Sequence, residues 1–412
     1  MKYKIFFIFF IFCVLSNAQN KKELTVEQKN YILKFVHPLS SFEPTYSNDD
    51  DLKILEKFIG NSRIVGLGES THGSSEIYKM KDRISRYLIT NKEFNVFSLE
   101  ANMPESFVMN KYIIDNDANP KKILNSMYFW IWQTDETLNF IEWLKSYNEN
   151  SKLKVHFDGF DMQYYFGAVK QLKDVYEHSN FPIEEIEILE KTLKERSRGI
   201  KSYNKKSQKI IGDLIEPIKQ RGELISDLKM KNRFLLNIKI IVQSISLSTS
   251  VKRDLFMSEN INRIAENYDN SKVIVSAHNS HISKLNSSKM GFHLDKIFGN
   301  NYVNFGFAFY EGKYTARINK KIGTYTSQTA YDGTLESYLH SLNIPIFIID
   351  LKSIKKENNK LAKWILSDIP SRKTGSGEDG NEFKKMNVVN SYDYLIFIDK
   401  STNSNLFNYK EK

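Results

Sequence analysis

The sequence predicts an α/β fold: a mainly parallel central sheet flanked by helices, with a helical insertion or cap. Three observations carry this. Short apolar, β-rich runs alternate with helical periodicity over residues 64–157 and again over 272–398, the pattern of βαβ units. Several of those runs stop at titratable residues, and in open α/β sheets ligands bind outside the carboxyl ends of the strands. Between residues 164 and 250 the β signal disappears and only helical periodicity remains, dense in lysine and glutamate.

Taken in order, a helix is expected at Val26–Phe35 and a loop between Pro38 and Pro44. A short helix at Asp51–Ile59 follows the N-terminal signal Asn48-Asp49-Asp50. Ile64-Val65-Gly66-Leu67 reads as a strand that breaks at Gly68. Glu69, Ser70, Thr71 and His72 come next, and a helix follows with Ile77, Met80, Ile84, Tyr87 and Leu88 on one face. Residues 94–99 form a second strand ending on Glu100. Helices are expected at 103–115, 121–126 and 135–147, and Tyr128 to Trp132 is an aromatic cluster. A third strand is expected at Leu153–Phe157, leading into Asp158-Gly159-Phe160-Asp161. Two to four helices punctuated by Pro182 and Pro217 fill 164–250. Strand signals return at Lys272–Ala277, which stops at His278-Asn279-Ser280-His281, and then at Val303–Tyr310, Ile346–Leu351 and Tyr394–Ile398. A helix is expected at 334–342. Residues 373–381, KTGSGEDGN, read as a flexible loop by composition.

These elements divide the chain into four parts. Residues 1–18 read as an export signal. Residues 19–163 and 251–412 form the two parts of an α/β catalytic domain, and 164–250 is the insertion. The signal reading rests on Lys2 and Lys4, an apolar run from Ile5 to Leu15 too short to span a bilayer, and small residues before Gln19. The expected location is therefore secreted or periplasmic, with no integral membrane segment after removal of the signal. Cys13 is the only cysteine. The bulky Phe10-Ile11-Phe12 before it disfavours a lipoprotein site, and a mature chain without cysteine has no disulfide, thiol nucleophile or thiolate metal site. The formal net charge of +10 is spread as lysine rather than gathered with aromatics, so a nucleic-acid partner is not expected. The sequence leaves oligomeric state open.

If the sheet is parallel, Glu69, His72, Glu100, His278 and His281 gather at one edge. Nothing marks an acyl-enzyme nucleophile: there is no G-x-S-x-G elbow, and neither Ser70 nor Thr71 has an activating partner in its spacing. Direct attack by water fits better, with an imidazole as base and a carboxylate, Glu69 or Glu100, fixing its tautomer. The same Glu and His residues could instead ligate a divalent metal, although H-E-x-x-H is absent. Gly66-x-Gly68 is not a dinucleotide loop, because Thr71 stands where a third glycine belongs and Glu69 would repel a pyrophosphate.

At these residues the chain resembles the erythromycin esterase family. The matching stretches are Gly68-Glu69-Ser70-Thr71-His72-Gly73 with Glu76, then Leu99-Glu100, Gly159-Phe160-Asp161-Met162-Gln163, Arg253-Asp254 with Met257, and Ala277-His278-Asn279-Ser280-His281. They occur in the family's order. The resemblance implies a hydrolase of ester or lactone bonds, a macrolide ring in the best-known members, with macrolide resistance as the consequence. It implies His72 as the general base for water, and Glu69, Glu100, His278 and His281 lining the cleft. It also implies a site that works in some members without an obligatory metal. The family often has arginine nine residues after that histidine. Lys81 stands there in this chain, keeping the charge but losing the bidentate fork. Lys81, Asp161 and Arg253 are candidate substrate-binding or supporting residues. Two other readings stay open: a metal-dependent, peptidase-like hydrolase using the same Glu and His residues, and a non-catalytic periplasmic binding protein for haem or another ligand.

Overall fold

A computed structural model describes residues 23–115, 117–195, 203–268, 271–377 and 381–407. The stretch read as an export signal, with Cys13, lies outside them. In chain order the strands are β1 (Val36–Pro38), β2 (Ile64–Leu67), β3 (Val96–Asn102), β4 (His156–Asp161), β5 (Val273–Ser276), β6 (Tyr302–Ile318), β7 (Lys321–Thr326), β8 (Ile346–Asp350), β9 (Ile369–Arg372), β10 (Phe383–Met386) and β11 (Tyr394–Ser401). A nine-stranded sheet runs in the order β1-β8-β11-β6-β2-β5-β3-β4, with β7 paired to β6. From β11 to β4 every neighbouring pair on this path is parallel, while β8 is antiparallel to both β11 and β1. The central sheet is thus mainly parallel and flanked by helices. The carboxyl ends of β2, β3, β4 and β5 lie side by side on one edge.

Strand alternation builds two cores. On β5, Val273 and Val275 face one hydrophobic cluster and Ile274 the other; on β11, Leu395 and Phe397 oppose Ile396 and Ile398. The helix Ser75–Lys92 covers the second cluster. Ser74 caps its start by accepting from Ile77 N at 3.3 Å, and its buried face includes Ile77, Met80, Ile84, Tyr87 and Leu88. The segment after Tyr164 forms helices Phe166–His178, Ile183–Leu193, Lys205–Glu223 and Leu228–Ser246, packed into the first cluster through Leu172, Tyr176, Leu189, Phe234 and Ile241. Pro217 sits inside the third of these helices rather than between two of them, because Ile211 and Ile218 on either side are both buried. Burial of that face overrides the low helix propensity of proline.

Three local expectations are corrected. The third strand is His156–Asp161, not Leu153–Phe157, because its polar residues find partners. Tyr268 OH donates to Asp158 Oδ2 at 2.8 Å, and Arg253 Nη2 donates to Asp161 Oδ2 at 2.8 Å. The strand expected at Val303–Tyr310 continues to Ile318 and returns as β7. Asn319 and Lys320 both have positive φ, 49° and 68°, as a type I′ hairpin turn requires. The loop expected to be flexible begins ordered: Thr374 is buried, and both its amide and its hydroxyl donate to Ser70 O, at 3.2 and 3.0 Å.

Candidate active site

The turn after β2 is held from three sides. A Cβ at Gly68 would overlap Asn279 Oδ1, and one at Gly73 would overlap the Thr315 carbonyl, so both positions need a residue without a side chain. Gly73 O accepts from Thr315 N at 2.9 Å and Ser404 N at 2.8 Å. Glu76 accepts from Thr402 N and Thr402 Oγ1, each at 2.6 Å, pinning the start of the following helix to the end of β11. The hydroxyls of Ser70 and Thr71 are buried without a partner among the described residues.

Within this frame Glu69 is fully buried. Its Oε1 lies 2.5 Å from His72 Nδ1, and its Oε2 accepts from Lys81 Nζ. Burial alone would raise the Glu69 carboxyl. The Lys81 ammonium and His72 outweigh it and hold the group at about 2. An ionised Glu69 fixes the proton of His72 on Nδ1. The Nε2 of His72 has no hydrogen-bond partner among the described residues. Tyr78 OH lies 2.7 Å from His72 O and 3.1 Å from Ile131 O, and Trp132 meets the imidazole edge-on at 6.3 Å.

A second cluster closes around Glu100 at the end of β3. Arg253, near the start of the helix Ser250–Asn267, reaches the ends of both β3 and β4. Its Nη2 donates to Glu100 Oε1 and Asp161 Oδ2, each at 2.8 Å, and its Nε donates to Asp161 Oδ1 at 3.1 Å. His281 Nε2 lies 3.2 Å from Glu100 Oε1 and its Nδ1 lies 2.9 Å from Asp254 Oδ1. Burial pushes the His281 imidazole down, but Glu100 and Asp254 more than reverse this and bring it to about 9, so it is charged at neutral pH. Burial raises Glu100 too, yet His281 and Arg253 hold it well below the carboxylate range.

His278 bridges the clusters, with ring centroids 5.1 Å from His72 and 6.4 Å from His281. Its backbone N–H donates to Glu100 Oε2 at 2.9 Å. Its Nε2 lies 2.6 Å from the Thr374 carbonyl, which can only accept, so Nε2 carries the proton. Nδ1 then accepts from Ser280 N at 3.1 Å. Burial, with His72 and His281 adding to it, lowers His278 to about 3. The ring is neutral and both nitrogens are engaged.

The structure thus brings together all five residues expected at the strand ends, Glu69, His72, Glu100, His278 and His281. The three secondary candidates, Lys81, Asp161 and Arg253, are part of the same network. Of the three histidines, only His72 keeps a ring nitrogen without a partner among the described residues. Lys81 Nζ donates to Glu69, His278 Nε2 donates to the Thr374 carbonyl, and His281 contacts Glu100 and Asp254. The sequence reading did not single out Asp254 or Thr374 as site residues. Asp254 had a signal in its place beside Arg253, whereas Thr374 had none.

As a metal site the arrangement fits poorly. The Glu69 oxygens are taken by Lys81 and His72, those of Glu100 by Arg253 and the His278 amide, and the His278 Nε2–H by Thr374. Among the described residues no group of three or more His, Cys, Asp or Glu side chains is placed to hold an ion.

A parallel sheet with a buried, carboxylate-oriented imidazole at its carboxyl edge defines a hydrolase-type site. The chain belongs to the erythromycin esterase family, whose model matches residues 89–401. That match includes Glu100, Asp161, Arg253, His278 and His281, and it begins beyond the Glu69–His72 turn. The chain is 23% identical over 420 residues to YbfO, a presumed hydrolase of Bacillus subtilis (strain 168), covering 91% of each chain. It is 21% identical over 431 residues to the Escherichia coli erythromycin esterase type II, covering 92% of this chain and 97% of that protein. A crystal structure of a Bacillus cereus protein shares the fold, with a TM-score of 0.80 at 24% identity, over 93% of this chain and 99% of that one.

Proposed function

We propose that this protein hydrolyses an ester or lactone bond by direct attack of water, with His72 as general base. The observation that carries it is the chain Lys81–Glu69–His72: an ammonium holds a carboxylate ionised, the carboxylate holds Nδ1–H, and Nε2 is left to accept a proton. Water adds to the carbonyl carbon as its proton passes to His72 Nε2. The tetrahedral intermediate collapses, the carbon–oxygen bond to the alcohol breaks, and the imidazolium returns the proton to the departing alkoxide. The products are a carboxylic acid and an alcohol, joined in one chain if the substrate was a ring. Glu69 stabilises the transient imidazolium. Glu100, Arg253, Asp161 and Asp254 hold His278 and His281 around it.

The substrate class follows from likeness to the erythromycin esterases: a macrolactone is the first candidate and simple esters the second. Loss of macrolide activity would be the consequence in a cell. The proposal includes export, from the character of residues 1–18, and no metal in the water-activating step. Purified protein is incubated with a panel of macrolides and simple esters, and products are read by mass for the gain of one water. Activity is expected to survive chelation, and His72→Ala to lower it by about two to four orders of magnitude. Near-normal turnover by His72→Ala would sink the assignment. Turnover lost on chelation would favour a metal mechanism. A bound visible chromophore with no turnover on any ester would favour a binding protein.

A further inference from the structure

Away from these strand ends, at the outer edge of the sheet, a groove of about 1060 Å³ opens beside β4. It is bounded by the helix Met103–Asp115, the start of the helix Leu228–Ser246 and the end of the helix Ser250–Asn267. None of the eight site candidates lines it. Its volume is just above the range of about 300–1,000 Å³ usual for small-molecule sites.

Apolar and cationic residues share the lining of the groove. Phe107 and Ile264 are buried in its wall, and Leu235 and Leu236 are half-buried. Leu228 and Met230, also in the lining, are 69% and 40% exposed. Lys111, Lys229, Arg233 and Arg263 line the groove as well. None of these four cations has an ion-pair partner among the described residues, although Arg233 and Arg263 are half-buried. Arg233 lies over the Phe107 ring at 4.4 Å, its charge directed onto the apolar wall.

Three aspartates line the same groove, and none neutralises these cations by pairing. Asp227 caps the helix it precedes by accepting from Met230 N at 2.7 Å. Asp115 is exposed at the end of its helix. Asp158 accepts from Tyr268 OH at 2.8 Å; burial lifts its carboxyl to about 7 against that bond and the charge of Arg233, with which it forms no ion pair. His156 stacks on Tyr268 at 4.4 Å, and its Nδ1 is buried without a partner among the described residues. The lining therefore joins apolar and aromatic residues to four cations without an ion-pair partner among the described residues.

We propose that this groove binds a single-chain amphiphile with an anionic head, a carboxylate or phosphate at Arg233 and Arg263 and an alkyl or acyl tail against Phe107, Leu235, Leu236 and Ile264. Guanidinium groups match both head groups through paired hydrogen bonds, and burying the tail removes apolar surface from water. The inference is independent of the ester chemistry, because it uses none of the residues of that site.

The test is calorimetric titration of the full protein with dodecanoate and with dodecyl phosphate, each below its micelle-forming concentration. Dodecyltrimethylammonium, inorganic phosphate and phosphatidylglycerol vesicles complete the series. Saturable one-site binding of both anionic amphiphiles is expected, with no saturation by the cationic one and at most weak binding of phosphate. Arg233→Glu and Arg263→Glu, made separately, are each expected to weaken binding about tenfold or more. Lys229→Glu, at an exposed position, is the second variant should either arginine change disturb folding, as read by thermal melting. His72→Ala is expected to bind as the unaltered protein does. The proposal is overturned by absence of saturation, by equal binding of the cationic amphiphile, or by indifference to the charge reversals. It is equally overturned by loss of binding in His72→Ala, which would place the chain in the ester cleft, or by binding to vesicles alone.

Discussion

His72 Nδ1 lies 2.5 Å from Glu69 Oε1, and the other oxygen of the same carboxylate accepts from Lys81 Nζ. The pair sets which imidazole nitrogen is the base. Glu69→Gln keeps the shape, but its amide can turn an N–H toward Nδ1. The ring would then carry its proton on Nε2, where it cannot accept one from water. The expected result is a fall in kcat of about three to four orders of magnitude, the size seen when a catalytic imidazole is held in the wrong tautomer, with KM little changed. Steady-state kinetics on any ester the protein turns over checks this. A loss under tenfold would assign the orienting role elsewhere.

Lys81 acts one step further back. It is buried, with its ammonium on Glu69, so its effect on chemistry passes through that carboxylate. Lys81→Met removes the strongest force holding Glu69 at about 2, leaving burial to raise it. The acid limb of kcat/KM should move to higher pH by about one unit or more, and Lys81→Arg should restore it in part, since charge is kept and geometry is not. A change in KM alone, with the acid limb unmoved, would make Lys81 a substrate contact.

Stability should also carry the signature of His281. Its folded value, about 9, lies above the ordinary 6.5, because Glu100 and Asp254 overcome the cost of burial. A raised value favours the folded state wherever the folded imidazole holds its proton. The stabilisation is therefore complete below about pH 6.5, declines as pH rises, and is gone above about 9. Its full size is on the order of 3 kcal/mol. His281→Asn should remove it, so the gap in Tm between the unaltered protein and the variant should narrow from pH 6 to pH 10. A gap constant across that range would contradict the assignment.

The strand ends were legible in the sequence because each is a local event. An apolar run that stops at Glu100 or at His278 announces both the strand and the polar group at its end, and parallel order then gathers those groups. The site's other contacts are not local. Thr374 fixes the tautomer of His278 across 96 residues and the backbone of Ser70 across 304, from a segment whose glycines suggest only flexibility. Arg253 joins Glu100 and Asp161 from a helix, Ser250–Asn267, that follows the long helical segment and carries no β signal of its own. The β4 boundary failed for a related reason. Asp158 and Asp161 look like loop residues until Tyr268 and Arg253 arrive, 110 and 92 positions later. The β6–β7 hairpin is a different failure, because Asn319-Lys320 lacks the glycine that usually marks a type I′ turn.

Arg253 is where these long-range ties can be measured. One guanidinium serves two buried carboxylates, donating to both oxygens of Asp161 and to Glu100 Oε1. Burial would lower the Arg253 value, but Asp161 and Glu100 raise it above the usual arginine range, so its charge is permanent. Arg253→Met strands both carboxylates in the interior with His281, the Gln163 amide and backbone N–H groups left to answer them. The expected loss is about 3–5 kcal/mol in urea unfolding, the size typical of breaking a buried ion pair from one side. Asp161→Leu alone should also destabilise. The double variant Arg253→Met/Asp161→Leu should be more stable than the sum of the two losses predicts, because the second change removes a charge the first had left unpaired. Strict additivity would mean that the two side chains act independently, and that the ends of β3 and β4 are held together by something other than Arg253.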